Sequence, residues 1–167
     1  MSAVVVFESM FGCTQQVAEA VGRGLAKHVP TEVLEVGRAP LPGPGVDLLV
    51  VGGPTHAFSM SRPQTRTDAH KDSADGRVVS DGPGVREWID SLPKLRGARA
   101  AVFDTKVMKP LTGSAAKAEG KALAQHGYDV VAVKSFGVTG KTGPLGEGEL
   151  ARAEAWGEQL AAQLVRR

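Results

Sequence analysis

The segment that most constrains this chain is the run Ala3-Val4-Val5-Val6-Phe7 and the residues that follow it, Glu8-Ser9-Met10-Phe11-Gly12-Cys13-Thr14 and Gln15-Gln16-Val17-Ala18-Glu19-Ala20-Val21. An apolar, mostly β-branched run with no polar interruption predicts a strand buried on both faces. Val17, Val21, Leu25 and Val29 recur every fourth residue and so share one face of a helix. The loop between them holds Ser9, Gly12 and Thr14, with Thr14 placed as a helix N-cap. Such a loop points unpaired backbone N–H groups and the positive end of a helix dipole at one spot, which favours a phosphate. Ser, Gly and Thr are also ordinary residues of any turn between a strand and a helix. The residues alone leave both readings open.

The rest of the chain repeats the strand-then-helix alternation. Strands are expected at 31–36, 46–52, 98–103 and 128–133, with 135–138 extending the last one past a break. Helices are expected at 85–92, 114–125 and 147–165. The closing helix shows a core stripe of Leu150, Ala153, Gly157, Leu160, Ala161 and Leu164. Alternating strands and helices imply an α/β fold, a parallel sheet covered on both faces. The expectation is one doubly wound domain spanning 1–167, with five parallel strands in the order 2-1-3-4-5. Residues 61–84 are polar, mixed in charge and nearly free of large apolar side chains. They predict a long polar loop, the kind that is functional or mobile.

Bulk composition narrows the function classes. A chain of 167 residues, 42% hydrophobic and 23% charged, has the make-up of a globular protein able to bury a core. The formal charge of +2 comes without a Lys/Arg block interleaved with aromatics, which argues against nucleic acid. One cysteine excludes an internal disulfide, and the first apolar run is too short for a signal segment or a membrane span. A cytoplasmic protein with no membrane partner is expected.

With these segments placed, Ser9-x-x-Gly12-x-Thr14 directly after a first strand resembles the phosphate loop of the flavodoxin family, which holds the 5′-phosphate of FMN. The resemblance implies that the Ser9 and Thr14 hydroxyls and the backbone from Met10 through Phe11, Gly12 and Cys13 to Thr14 bind that phosphate. The family usually has Asn or another small polar residue where this chain has Cys13. Gly52-Gly53-Pro54-Thr55-His56-Ala57-Phe58-Ser59-Met60 looks like the loop that contacts the flavin ring. Its Pro54-Thr55 pair, followed by an aromatic residue and a methionine, is closer to FMN-dependent quinone reductases than to the electron carriers. The resemblance gives Thr55 the phosphate or the ring edge. It makes His56, Phe58 and Met60 a flat, polarizable surface beside the ring, with Ala57 and Ser59 completing the loop. Phe58 and Met60 also read simply as core residues. After the fourth strand, the third wall is expected from Asp104 and Thr105 at the pyrimidine edge or ribityl chain, and from Lys106, which favours an anionic reduced ring. The family often stacks a Tyr there, whereas the one Tyr of this chain is Tyr128. Gly143-Pro144-Leu145-Gly146-Glu147-Gly148-Glu149-Leu150, leading to Ala153 and Trp156, is similar to the closing segment of actinobacterial flavodoxin-like proteins.

Two departures carry chemistry. Electron-carrying flavodoxins commonly place a Gly in the second loop, whose peptide reorients on flavin reduction. No Gly lies between Thr55 and Met60. A left-handed backbone there costs another residue roughly 1–2 kcal/mol, which predicts two-electron or hydride chemistry. Cys13 at a helix start has two readings, a thiol acidified by the dipole or an inert small hydrophobe. Other constellations are weaker. Gly140-Lys141-Thr142 lacks the preceding Gly and the immediate helix of a nucleotide loop. Asp68, His70 and Asp72 read as solvated surface rather than a metal site. Cys13 and His56 stand without a Gly-x-Ser-x-Gly elbow that would suggest a hydrolase.

The sequence therefore implies an FMN-binding, flavodoxin-like redox protein in electron transport, with a redox partner protein or a small-molecule electron acceptor. Two alternatives stay open: an NAD(P)H-dependent FMN quinone reductase, and a flavodoxin-fold binding module that has lost FMN.

Overall fold

The computed structural model describes residues 1–166. Arg167, the last residue of the span 1–167 expected as one domain, lies outside the described residues. Five parallel strands form one sheet: β1 (Ala3–Phe7), β2 (Thr31–Glu35), β3 (Leu48–Pro54), β4 (Arg99–Val107) and β5 (Asp129–Val138). Their order is β2-β1-β3-β4-β5, as expected. Helices α1 (Cys13–Ala26), α2 (Pro63–Asp72), α3 (Val85–Asp90), α4 (Ala115–Gln125) and α5 (Glu149–Val165) complete the fold.

The hydrophobic periodicity explains the layering. Val5, Phe7, Val50, Ala101 and Phe103 face one side of the sheet and pack with Val17, Val21 and Leu25 of α1 and with Trp156 and Leu160 of α5. Val6, Leu49, Val51 and Val102 face the other side, against Val85 and Ile89 of α3 and Leu123 of α4. Strand residues alternate between faces, so a sheet covered twice must be apolar at every position. On the first face Phe103, Phe136 and Trp156 meet edge to face at 6.0–6.2 Å between centroids, an arrangement that satisfies the ring quadrupoles. Helices α1 and α5 touch backbone to backbone at Gly24 and Gly157. A Cβ at either would lie 2.1 Å from Glu154 O or 2.2 Å from Val21 O, respectively.

Several expected boundaries move. The polar stretch 61–84 is not one loop, because Pro63–Asp72 forms α2. Its only buried residue is Ala69, so apolar periodicity carried no trace of it. Strand β4 runs four residues past Phe103, which puts Asp104, Thr105 and Lys106 on the strand rather than in the loop after it. Pairing with β5 through Val107↔Val138 holds this extension, and β5 continues without a break. Strand β3 likewise includes Pro54, and α5 begins at Glu149 rather than Glu147. Thr14 is not the N-cap of α1. Gly12 takes that position with φ +97°, a backbone that glycine adopts without strain.

Candidate functional site

In an open α/β sheet, ligands sit beyond the C-terminal ends of the strands where the winding reverses. Here that point lies between β1 and β3, and a cavity of about 370 Å³ opens there. The volume lies within the usual range for small-molecule sites.

One wall is the β1–α1 loop. Ser9 is buried, and its backbone N–H donates to Ser80 Oγ at 3.0 Å, while Ser80 N–H donates to Ser9 O at 2.8 Å. Val79 N–H donates to Met10 O at 3.0 Å, so residues 79–80 pin the loop from outside. The Ser9 hydroxyl accepts from Gly12 N–H at 3.1 Å and fixes the turn into α1. The first intrahelical bond runs from Gln16 N–H to Gly12 O at 3.0 Å. The N–H groups of Cys13, Thr14 and Gln15 therefore precede any intrahelical acceptor. Together with the helix dipole they make an anion seat built from the main chain. Ser9, Met10, Phe11, Cys13 and Thr14 line the cavity.

The two hydroxyls that the resemblance assigns to phosphate are engaged within the protein. Ser9 Oγ holds Gly12 N–H, and Thr14 Oγ1 lies 2.7 Å from Thr105 Oγ1 across the buried floor. In that pair one hydroxyl donates to the other and one proton stays available to a ligand.

The second wall is the end of β3 and the loop after it. Pro54, Thr55, His56 and Ala57 line the cavity. His56 and Ser59 exchange backbone hydrogen bonds at 2.8 and 3.0 Å, closing a two-residue turn on Ala57 and Phe58. Both turn residues have positive φ, 45° and 72°, without being glycine. The turn points Phe58 outward, 67% exposed, while Met60 is buried in the core under α3. Burial, with Arg66 and Lys141 nearby, lowers the His56 pKa and favours a neutral imidazole.

Strand β4 supplies Thr105, Lys106 and Val107 to the cavity. Lys106 Nζ donates to Gly113 O at 2.9 Å. Asp104 sits one residue below, buried and outside the lining. Its Oδ2 accepts from Thr55 Oγ1 at 3.1 Å, Ser114 Oγ at 2.6 Å and Ala116 N–H at 3.0 Å, which ties the second wall to the start of α4. Gly12, Phe58, Ser59, Met60 and Asp104 thus stand around or beneath the cavity rather than on its lining.

Two further walls complete the cavity, one of them from the polar stretch 61–84 that the sequence marked as functional or mobile. Helix α2 lays Thr65, Asp68, Ala69 and Asp72 across the cavity, and the β5–α5 connection contributes Gly140, Lys141, Thr142 and Gly143. Lys141 Nζ meets Asp72 Oδ2 at 2.5 Å and joins these two covers over the mouth. The sequence did hold one signal for the second of them. Every strand-to-helix connection of a parallel sheet emerges at the same edge, so the connection after β5 belongs beside the others. Among the described residues no group of three or more His, Cys, Asp and Glu is arranged to hold a metal ion, and Asp68 and Asp72 line the cavity.

Cys13 faces the β5–α5 connection, since a Cβ on Gly143 would lie 2.7 Å from its Sγ. Desolvation raises the thiol pKa, and the Leu145 N–H only partly offsets it. Of the two readings of Cys13, the raised thiol pKa favours the inert small hydrophobe.

Comparisons with known proteins agree on the architecture. No protein-family model and no curated protein sequence matches the chain. Among solved structures, it is similar to a flavodoxin from the domain Archaea, with a TM-score of 0.66, 20% identity and coverage of 99% of each chain. It is similar to oxidised flavodoxin 1 from Bacillus cereus, with a TM-score of 0.66, 19% identity and coverage of 100% of this chain and 99% of that one. A flavodoxin WrbA-like protein from Agrobacterium tumefaciens matches with a TM-score of 0.61 and 16% identity, over 99% of this chain and 98% of that one. No described helix is long and apolar enough to cross a membrane. Strand order, an anion seat at the winding reversal and full-length structural likeness converge on one statement: the chain has the flavodoxin-like fold.

Proposed function

We propose that the cavity binds FMN and that the protein is a flavodoxin-like redox protein. The observation that carries this reading is the anion seat: three backbone N–H groups at the start of α1 without an intrahelical acceptor, two of them on Cys13 and Thr14, which line the cavity at the β1/β3 reversal. Cys13, Thr14 and Gln15 would hold the phosphate through their main chain, with Met10 and Phe11 beside it. The Thr14–Thr105 hydroxyl pair would hydrogen-bond the ribityl chain. Pro54, Thr55, His56 and Ala57 on one side and Thr105, Lys106 and Val107 on the other would flank the ring, with Gly12 shaping the seat. Phe58, Ser59, Met60 and Asp104 would act from outside the lining by fixing those two edges. Bound flavin supplies one- and two-electron transfer. The chain's own residues bind it, orient it and, through α2 and the Lys141–Asp72 pair, exclude water from it.

The electron partner on this reading is a redox protein or a small-molecule acceptor. A binding module without flavin is the second reading. It is favoured by one observation: Phe11 and His56 are the only aromatic rings on the lining among the described residues.

The deciding measurement is the visible spectrum of the purified protein, followed by titration of the flavin-free protein with FMN. A perturbed flavin spectrum and quenched fluorescence at one FMN per chain are expected. Free-flavin spectra throughout the titration would leave the binding-module reading. NADPH-driven quinone reduction by the protein alone would assign a reductase, and reduction only through a separate reductase would assign a carrier.

A further inference from the structure

Directly behind the cavity floor, three carboxyl groups share one buried row. Glu8 follows β1 and donates its N–H to Gly52 O at 2.9 Å. Gly53 and Asp104 are partners in the β3–β4 register. Glu119 reaches in from α4, and a Cβ on Gly53 would stand 3.0 Å from its Oε1 and 4.0 Å from Glu8 Cβ. All three side chains are fully buried.

Their hydrogen bonds do not close. Glu8 Oε1 accepts from Val85 N–H at 2.8 Å, but Oε2 has no partner. Asp104 Oδ1 has none, and Glu119 has none at either oxygen. Four buried oxygens are bare, whereas buried polar atoms are normally paired. A carboxylate only accepts, and a protonated carboxyl also donates. A proton carried by the cluster is therefore the one donor that its own members provide.

The surrounding charge points the same way. The Ser61 hydroxyl and Arg66 of α2 both face Glu8 and favour its charged form, but Arg66 is shared with Ser61, at 2.9 Å, and with Glu87 of α3. Glu119 faces only Asp104 and Glu8, both of like sign. Desolvation and these neighbours raise Glu119 well above the usual carboxyl range, and burial raises Glu8. Asp104 Oδ2 has three donors whereas neither Glu119 oxygen has one, so a proton on the cluster is best placed on Glu119 or Glu8.

The row is coupled to the cavity. Ser9 follows Glu8, Thr105 follows Asp104, and Thr55, whose hydroxyl Asp104 accepts, lines the cavity as they do. The Thr55–Asp104 hydrogen bond, 3.1 Å, is the direct link between the lining and the row. An anion in the cavity is thus felt by these carboxyls through a dry interior.

We propose that Glu8 and Glu119, with Asp104, form a buried proton store coupled to the cavity: negative charge entering the cavity draws one proton from solvent onto a bare carboxylate oxygen of this pair. The carboxylate becomes a neutral acid, and no bond to the ligand forms. The inference rests on the anion-seat reading of the site.

Calorimetric titration with FMN, and separately with inorganic phosphate, in two buffers of different ionisation enthalpy reads the protons taken up per ligand. Wild type is expected to take up more than the Glu8→Gln and Glu119→Gln variants, with the excess lost in the double variant. The difference between proteins cancels protons contributed by the ligand itself. Infrared difference spectra, ligand-bound minus ligand-free, give a second reading, a carboxylic-acid C=O band that gains intensity in wild type and not in the Glu8→Gln/Glu119→Gln double variant. Equal uptake in wild type and variants, with FMN bound, would overturn the store and leave the cofactor reading intact. No gain in that band on ligand binding would overturn it as well. If only phosphate binds, the FMN reading falls and the phosphate titration decides the store. If neither ligand gives heat, the coupling falls together with the anion seat.

Discussion

The Ala57-Phe58 turn invites a quantitative test. Two-residue turns with both φ values positive favour Asn-Gly, because other L side chains meet the backbone there. Here φ is 45° at Ala57 and 72° at Phe58. Each left-handed residue costs roughly 1–2 kcal/mol, so the pair carries about 2–4 kcal/mol of strain. Replacing Phe58 by Gly returns about 0.5–1 kcal/mol as extra freedom of the unfolded chain. Phe58 is 67% exposed, so little buried apolar area is lost with it. The Ala57→Asn/Phe58→Gly double variant should therefore be more stable by about 1–3 kcal/mol. For 167 residues, an unfolding entropy of about 2.1 cal/mol/K per residue converts this to a Tm rise of roughly 3–8 °C. Melts followed by circular dichroism, with urea unfolding as a check on the m-value, measure it. An unchanged or lowered Tm at constant m would refute the strain argument. The brace that holds the turn supplies the opposite test. Ser114 N–H donates to Phe58 O at 3.1 Å, and a Cβ on Gly113 would lie 2.2 Å from that same oxygen. Gly113→Ala should lower Tm while the turn swap raises it. Strain persists where surrounding structure over-determines it, often at functional sites. The swap is accordingly expected to weaken FMN binding while it stabilises the fold.

Other outcomes follow from the site. Asp104→Ala strips three donors of their acceptor, and bonds to a charged group are worth about 1.5–3 kcal/mol each. Relief of like charge at Glu119 offsets part of this, so a loss of about 2–4 kcal/mol in urea unfolding is expected. Lys141→Met removes an ion pair whose lysine is 73% exposed. Stability should change by less than about 1 kcal/mol, whereas FMN release, followed by stopped-flow fluorescence, should quicken. Glu119 has its folded pKa raised, so its contribution is full below the unfolded value near 4.5 and is lost as pH rises towards the folded one. Glu119→Gln should therefore gain stability over wild type as pH rises above about 4.5, read from urea midpoints. His56 has its folded pKa lowered, so the unfolded chain binds the extra proton as pH falls below 6.5. His56→Gln should flatten the loss of stability on acidification below that pH.

How much of this was legible in the chain depends on the range of the forces involved. Strand and helix identities came from apolar periodicity and their alternation, whereas the place of the site came from the resemblance carried by Ser9, Gly12 and Thr14. These are local or combinatorial signals, and they were sufficient for the sheet. Helix α2 was not legible, because only Ala69 of it is buried and its remaining residues leave no stripe. The extension of β4 through Val107 was hidden for the same reason. Polar Asp104, Thr105 and Lys106 read as loop until β5 supplied their hydrogen bonds. The sequence argument puts a cost on positive φ in a second loop without glycine, and Ala57 and Phe58 adopt it all the same, held by Gly113 and Ser114.

Composition and spacing alone determined a five-stranded parallel sheet, and left the loop after β1 open between an anion seat and an ordinary turn. Tertiary structure alone decided that the Ser9 hydroxyl braces a turn and that Cys13 is less acidic than its place at a helix start implies. It also decided that Glu8, Asp104 and Glu119, far apart in the chain, meet in the dark interior behind that seat. Backbone preference is written residue by residue, whereas desolvation and charge proximity exist only once distant segments are packed together.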